Sequence, residues 1–362
     1  MKTNQNKNWG KYIIDFATIP YKRELEERAL YPFRTLNFLT GGMELGEISI
    51  IAGETGSGKT TLVSMCVSEI IKSDKCFCIY GESTIEKQAH AHYRQMTPYN
   101  DSDYQFIPYY KNGVKTNVGK FFVSESAEKK IKQQTAKKLY YYDPKGGMDI
   151  DSIMSVMEIA YTQGGIKYFV IDNLMQISLD TNDEVREMKD NFEQLRRFVI
   201  DNKVHCIVLA HYRKSTDYGV FRRRLEEIAG TSAIGNKCAT ALNIMRFDNI
   251  DKGTKYSRAF AKLLDTNGYD FEDCDAVIEV LKTRHNKLGF VGLKYNKRTN
   301  TYYEISKLNN NQEENEKAQV IAPQINNSNT DSNQVEMIEI DRIDDTIFGG
   351  SSKNNKDDEL PY

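Results

Sequence analysis

The chain has 362 residues and a formal net charge of −2, but 12 acidic and only four basic residues fall in 308–362, so a body of net +6 precedes a tail of net −8. Such asymmetry points towards a nucleic-acid partner. No apolar run is long enough for a transmembrane helix, the polar start MKTNQNKNWG has no signal-peptide core, and six Cys without a C-x-x-C pair read as buried free thiols rather than disulfides or zinc ligands.

Residues 1–30 read as a leader in which 21–30 (YKRELEERAL) forms a short helix, either a solvated one or an arm that packs on a neighbouring copy. From residue 47 apolar strands alternate with helical periods. Strands are expected at 47–53, 75–81, 138–143, 167–172 and 204–210, and helices at 60–73, 150–163 and 184–202. His90 and His92, two apart, would face different sides of a helix and are not read as ligands. Residues 95–135 read as an irregular polar insertion rich in Tyr and Lys, and 249–274 as a second insertion. Short strands at 241–247, 276–284, 290–295 and 301–306 close the ordered part as antiparallel hairpins. The alternation predicts an α/β fold with a mainly parallel sheet, spanning 31–307. Residues 308–362 hold ten Asn, many charges, and only Phe348 and Tyr362 as aromatics, so they are expected to be disordered.

The segment Gly53-Glu54-Thr55-Gly56-Ser57-Gly58-Lys59-Thr60 fits G-x-x-x-x-G-K-[ST] between a strand and a helix, with Thr61 following. The glycines let backbone N–H groups converge on phosphates, and the helix N-terminus adds partial positive charge. Lys59 is expected on the β- and γ-phosphates, and Thr60 on Mg²⁺. Asp172, at the end of an apolar strand, is the candidate partner acid for Mg²⁺. Glu82, just past strand 75–81, is the candidate base for the attacking water. His211 follows strand 204–210 at the same expected edge and is placed to sense the γ-phosphate, although a strand-end His alone is weak evidence.

Several segments in order, TGGMELGEISIIAGETGSGKTTLVSM, IYGES, YFVIDNLMQI, LAHYRKS, EEIAGTSAIGNKCATALNIMR and VLKTRHNKLGFVGLKYNKRTN, resemble the helicase domain of DnaB-type replicative helicases, in particular their Twinkle and phage primase–helicase branch. The resemblance implies a RecA-like core, a hexameric ring with ATP or another NTP between subunits, and 5′-to-3′ movement on one DNA strand. It gives Glu82 the catalytic role, Asp172 the metal and His211 the phosphate-sensing position. Lys282 and Arg284 match the pair that reaches into the neighbour's ATP; an exposed basic strand end is the plainer alternative. Arg246 and Tyr295 match positions flanking the nucleotide base. There is no zinc-and-primase region, so no primase activity is expected. A RecA-like recombination ATPase and a nucleotide-binding loader or scaffold are the competing readings.

For DNA, Arg213 and Lys214 match basic loop positions of the family, and Gly230, Thr231 and Ser232 a small-residue turn that donates backbone N–H groups to phosphate. The run Arg222–Arg224 reads equally as a DNA contact or a solvated loop. The C-terminus Asp357-Asp358-Glu359-Leu360-Pro361-Tyr362 is similar to the tip of bacterial single-strand-binding proteins. It reads as a docking tail for a polymerase, primase or single-strand-binding protein, as a competitor of DNA, or as a solubilising tail. The Lys-, Asn- and Tyr-rich, Pro-poor composition and the phage-like motifs suggest a bacteriophage origin, with action in the cytoplasm of a bacterial host.

Overall fold

A computed structural model describes residues 14, 16–18, 27–111, 114–173, 184–212, 223–228, 232–247 and 255–307. The acidic tail lies outside them. A small antiparallel pair, β1 (Arg28–Ala29) with β2 (Met43–Glu44), brackets helix α1 (Arg34–Thr40). Residues 28–29 are therefore strand, not the end of the helix expected over 21–30; residues 21–26 of that expectation lie outside the described residues.

The core then follows in chain order: β3 (Ile48–Ala52), α2 (Lys59–Ser73), β4 (Cys76–Tyr80) and α3 (Ile85–Met96). The region 102–135, expected to be irregular, is regular in its described residues. It forms a ribbon of β5 (Ser102–Lys111) and β6 (Val114–Val123), then α4 (Glu125–Thr135). Next come β7 (Leu139–Tyr141), α5 (Ile150–Thr162), β8 (Tyr168–Asp172), α6 (Glu184–Asp201) and β9 (His205–Ala210). The described end of the chain holds α7 (Ser232–Lys237), β10 (Thr240–Arg246), α8 (Lys255–Thr266), β11 (Ala276–Lys282), β12 (Gly289–Asn296) and β13 (Thr301–Glu304).

The central sheet runs in the order β13-β12-β11-β10-β3-β9-β8-β4-β7. The six strands from β10 to β7 are parallel, and β11, β12 and β13 continue the sheet antiparallel. The parallel strands are near-continuous apolar runs because both sheet faces are covered. Their alternation sorts them. Ile51, Cys78, Val170 and Leu209 pack with Leu62, Cys66 and Ile70 of α2, whereas Ile50, Ile79, Ile171 and Val208 pack with Ile153 and Met157 of α5 and Phe192 and Val199 of α6. All six Cys are free and buried. This is the α/β fold with a mainly parallel sheet and C-terminal antiparallel strands that the sequence implies.

A third apolar cluster corrects the reading of 249–274 as a bare insertion. Phe260 and Leu264 of α8 join Phe247, Tyr269, Phe271 and Phe290 over the antiparallel strands. The second half of that segment is thus the lid that makes this part of the sheet a buried surface.

Candidate nucleotide site

Parallel pairing sets β3, β4, β8 and β9 in register, with Tyr80 opposite Asp172, Ala52 opposite Ala210 and Ile171 opposite Val208. Their exits therefore lie along one edge, the place where ligands bind in open α/β sheets. Gly53, Glu82, Asp172 and His211 arrive there from four separate strands.

Gly58 (φ +94°) caps the start of α2, and Gly56 has φ +80°. Both values suit glycine. A side chain at Gly58 would strike the Tyr302 hydroxyl, and one at Gly53 would strike Ser57 Oγ and the Ile244 carbonyl. Only a bare backbone fits this cradle, as phosphate binding by N–H groups requires. Glu54, Thr55 and Gly56 form its exposed tip, while Lys59 and Ser57 are buried and Thr61 is half-buried. Ser57 Oγ is buried with no hydrogen-bond partner among the described residues, a donor that a phosphate oxygen would satisfy. The Lys59 ammonium donates to the carbonyls of Gly53 (2.9 Å) and Glu54 (3.0 Å). Burial lowers its pKa from the ordinary value, against the charges of Glu82, Asp172 and Glu54.

Asp172 is 2% exposed and accepts from Thr60 Oγ1 at 3.2 Å. Burial first, then the Glu82 charge, push its pKa up to about 6. A hydroxyl and a carboxylate oxygen so placed suit Mg²⁺, which takes few protein ligands and keeps waters. His211 Nδ1 lies 3.3 Å from the Lys59 ammonium, and its Nε2 lies 2.9 Å from Glu82 Oε1. An ammonium can only donate, so Nδ1 accepts and Nε2–H donates to Glu82. The Asn173 side-chain amide donates to the same Glu82 oxygen. Glu82 is thus held by two donors while about 36% of its side chain stays open to water.

Arg246 stacks on the Tyr295 ring at 4.9 Å. Tyr295 is fixed by its hydroxyl donating to Asn300 (2.8 Å) and by a ring contact with Tyr302 at 5.2 Å. Arg246 closes β10, two residues beyond the Ile244 carbonyl that borders Gly53, so the pair flanks the phosphate cradle.

Lys282 and Arg284 do not join this group. β11 runs antiparallel to β10, and Lys282 sits opposite Ala241, where β10 begins beside the first residues of β3. Ala241 pairs with Ile50, three residues before Gly53, so Lys282 lies about 10 Å back along the strands and two strands to the side of the cradle, and Arg284 lies further back. Lys282 donates to the carbonyls of Gly235 (3.1 Å) and Asn236 (2.6 Å) at the end of α7, and Arg284 is exposed. Of the expected DNA contacts, Arg213, Lys214, Gly230 and Thr231 lie outside the described residues, as do Arg222 and the tail residues 357–362; Ser232 opens α7.

Two residues at the site carry no signal in the sequence, and a third has a place that its basic run did not indicate. Asn173 follows the strand-end acid directly, and only the fold aims it at Glu82. Tyr302 closes over Gly58 from β13, about 240 residues away in sequence. Arg223 is not the solvated residue that one reading of the Arg222–Arg224 run expects. It is 10% exposed, lies 5.6 Å over the Tyr212 ring, and donates to Glu54 Oε1 through Nε at 2.8 Å. Together with the Tyr212–Ile228 bridge, it ties both ends of the 213–222 segment to the tip of the P-loop.

A P-loop, a strand-end acid, a glutamate and a histidine gathered at the carboxyl edge of this sheet define a RecA-like ATPase. The model of the DnaB-like helicase C-terminal domain matches residues 31–304, and the chain belongs to that family. Its fold is similar to a structure of a DnaB-like replicative helicase described with its interactions with primase, at 14% identity and a TM-score of 0.58, covering 77% of this chain and 62% of that one. It is also similar to a second solved structure, an ATPase domain, at 14% identity and a TM-score of 0.56, covering 76% of this chain and 90% of that one. Among curated proteins none matches the chain. No helix among the described residues is long and apolar enough to cross a membrane.

Proposed function

We propose that this chain is the motor of a replicative DNA helicase. It assembles as a homo-hexameric ring, hydrolyses ATP between subunits, moves 5′-to-3′ on single-stranded DNA and unwinds duplex at the fork. The observation that carries the reading is the position of Lys282 and Arg284. They stand on the sheet edge opposite the cradle, where Lys282 holds the end of α7 and Arg284 is exposed and available to the next copy's nucleotide. Arg suits that task because its planar fork spreads positive charge over a transferring phosphoryl group.

Within one subunit, the P-loop N–H groups and Lys59 hold the phosphates. Thr60 and Asp172 hold Mg²⁺, which neutralises phosphate charge when bound. Glu82 orients a water and takes its proton. His211 bridges Lys59 and Glu82, so a change in the Lys59 contacts reaches the base. Arg246 and Tyr295 take the base of the nucleotide. Arg213, Lys214, Gly230, Thr231 and Ser232 grip DNA phosphates, and the acidic tail ending in Tyr362 recruits a polymerase, primase or single-strand-binding protein. Priming belongs to a separate protein, and the ring works in the cytoplasm of a phage-infected bacterium.

Mixing Lys59→Ala with Arg284→Ala subunits tests the arrangement. Each variant alone should be inactive. In mixed rings an intact P-loop meets an intact Arg284 at some interfaces, so ATPase should return. A mixture as inactive as its parents would overturn the shared site. Forks with only a 5′ or only a 3′ tail then report polarity, and strand pairing without displacement would favour a recombinase instead.

A further inference from the structure

Among the described residues the ribbon β5–β6 pairs only with itself, and it reaches about 33 Å along its ten-residue strands. A two-stranded ribbon gains little from burial, and its open face should be polar. Here it is aromatic. Tyr104 is 52% exposed, Phe106 67% and Tyr110 66%. The register puts them on one side, with Tyr104 opposite Phe121, Phe106 opposite Gly119 and Tyr110 opposite Lys115. Ring centroids lie 4.8 Å apart for Tyr104–Phe121 and 5.3 Å for Tyr104–Phe106. Gly119 is needed because the Tyr104 ring fills the space any side chain there would take.

Charge accompanies the rings. Arg94 of α3 stands 5.6 Å over Phe121. Lys115 and Lys120 are exposed on the ribbon, and a groove of about 430 Å³ runs between His90, Arg94, Tyr104 and Lys120. Residues 85–138 hold ten Lys and Arg against five Asp and Glu, nearly the whole positive surplus of the body.

We propose that this ribbon is a binding site for single-stranded DNA, separate from the 213–232 loops: bases stack on Tyr104, Phe106 and Tyr110, and phosphates meet Lys115, opposite Tyr110 on the same face, and Lys120 and Arg94 along the groove beside Tyr104. Positions two residues apart on a strand repeat about every 7 Å, and the Tyr104 and Phe106 ring centroids lie 5.3 Å apart. Both spacings exceed the ~3.4 Å rise per nucleotide of a duplex strand, so the row fits a stretched, unstacked strand and not B-DNA. Aromatic faces accept any base, and flanking cations track the backbone. The excess of lysine around the rings favours a polyanion over another copy of this chain. The identity of the strand as DNA rests on the helicase reading above.

The test uses the full chain and a dT oligonucleotide carrying one 5-iodouracil. Ultraviolet crosslinks are expected on Tyr104, Phe106 or Tyr110; crosslinks confined to other segments would overturn the site. The triple variant Tyr104→Ala, Phe106→Ala, Tyr110→Ala should bind the oligonucleotide about 10- to 100-fold more weakly, with ATPase in the absence of DNA unchanged, which shows that it is folded. Lys115→Glu with Lys120→Glu should weaken binding and lower the salt slope by about 1.4. Unchanged affinity in both variants would overturn the proposal, as would loss of assembly with DNA affinity retained, which would make the face a contact between copies. If instead the wild type itself shows neither DNA binding nor DNA-stimulated ATPase, the helicase reading has failed along with it.

Discussion

The two edges of the central sheet are built on opposite plans. At the carboxyl edge hydrogen bonds join Lys59 to His211, His211 to Glu82 and Thr60 to Asp172, and Lys59 and Asp172 are almost fully buried. At the amino edge Lys282 caps α7, and Arg284 is exposed. One edge gathers the groups of the nucleotide site, whereas the other presents an exposed cation beside the Glu44, Glu47 and His285 cluster. On the proposed reading, a site so divided makes hydrolysis depend on assembly. The parallel core builds the first edge, because parallel strands all end on one side. The antiparallel turn at β11 delivers the second, because it sends the chain back.

The sharpest way to break this comparison is at the amino edge. Arg284→Ala should lower kcat for ATP by about 10³–10⁵-fold without loss of nucleotide binding, read by steady-state turnover and a fluorescent nucleotide. An equal loss of nucleotide affinity would mean that Arg284 is a structural residue and the division of labour is wrong. Next, Glu82→Gln removes the base while keeping the shape, and should cost about 10²–10⁴-fold in turnover, again with binding intact. Together the two variants tell whether both edges act on the chemical step.

The carboxyl edge can be examined through pH. Burial and Glu82 raise the Asp172 pKa to about 6. The folded state therefore prefers the neutral acid. Its contribution to stability is full below the ordinary carboxylate value and is lost as pH rises through about 6, by on the order of 2–3 kcal/mol. Asp172→Asn should remove that loss, so the metal-free variant should be more stable than wild type at about pH 8 and similar at about pH 4, read by denaturant unfolding with chelator present. The buried His92 and His205, both held at about 4, are common to both proteins and cancel in the comparison. The same variant should lose Mg²⁺-dependent hydrolysis. The smallest effect belongs to Arg223→Ala, which cuts the tie from Glu54 to the 213–222 segment. Basal ATPase should change by less than about threefold, as fits a partly exposed ion pair, while the stimulation of ATPase by DNA should fall. Unchanged stimulation would mean that the tie does not couple the two.

The legibility of each region follows from how local its signal is. The P-loop can be read outright, because its phosphate cradle is made by one continuous backbone segment whose glycines are demanded by φ and by crowding. The parallel strands are nearly as plain, since burial on both faces leaves an uninterrupted apolar run. The ribbon is hard to read because its aromatic residues look like neither a buried run nor a solvated one; the Asn112-Gly113 pair between two alternating stretches is the hairpin signal that marks it. Helix α3 hides behind a polar composition, although Thr84 caps it by accepting from Lys87 N. Its buried positions, Gln88 and His92, are polar; Gln88 donates to Ser83 just before the helix, whereas His92 needs a tertiary partner. His92 lies 3.2 Å from the Tyr80 hydroxyl.

The sequence by itself determined the nucleotide cradle, the strand-end acids and the fold class, because each depends on a few adjacent residues or on a short period. The tertiary structure alone decided which side of the sheet each group would occupy. Asn173 on Glu82, Arg223 on Glu54, Tyr302 over Gly58 and Arg284 on the far edge are set by strand order and direction. Those properties come from packing the whole sheet between its helices, and no local stretch of chain encodes them.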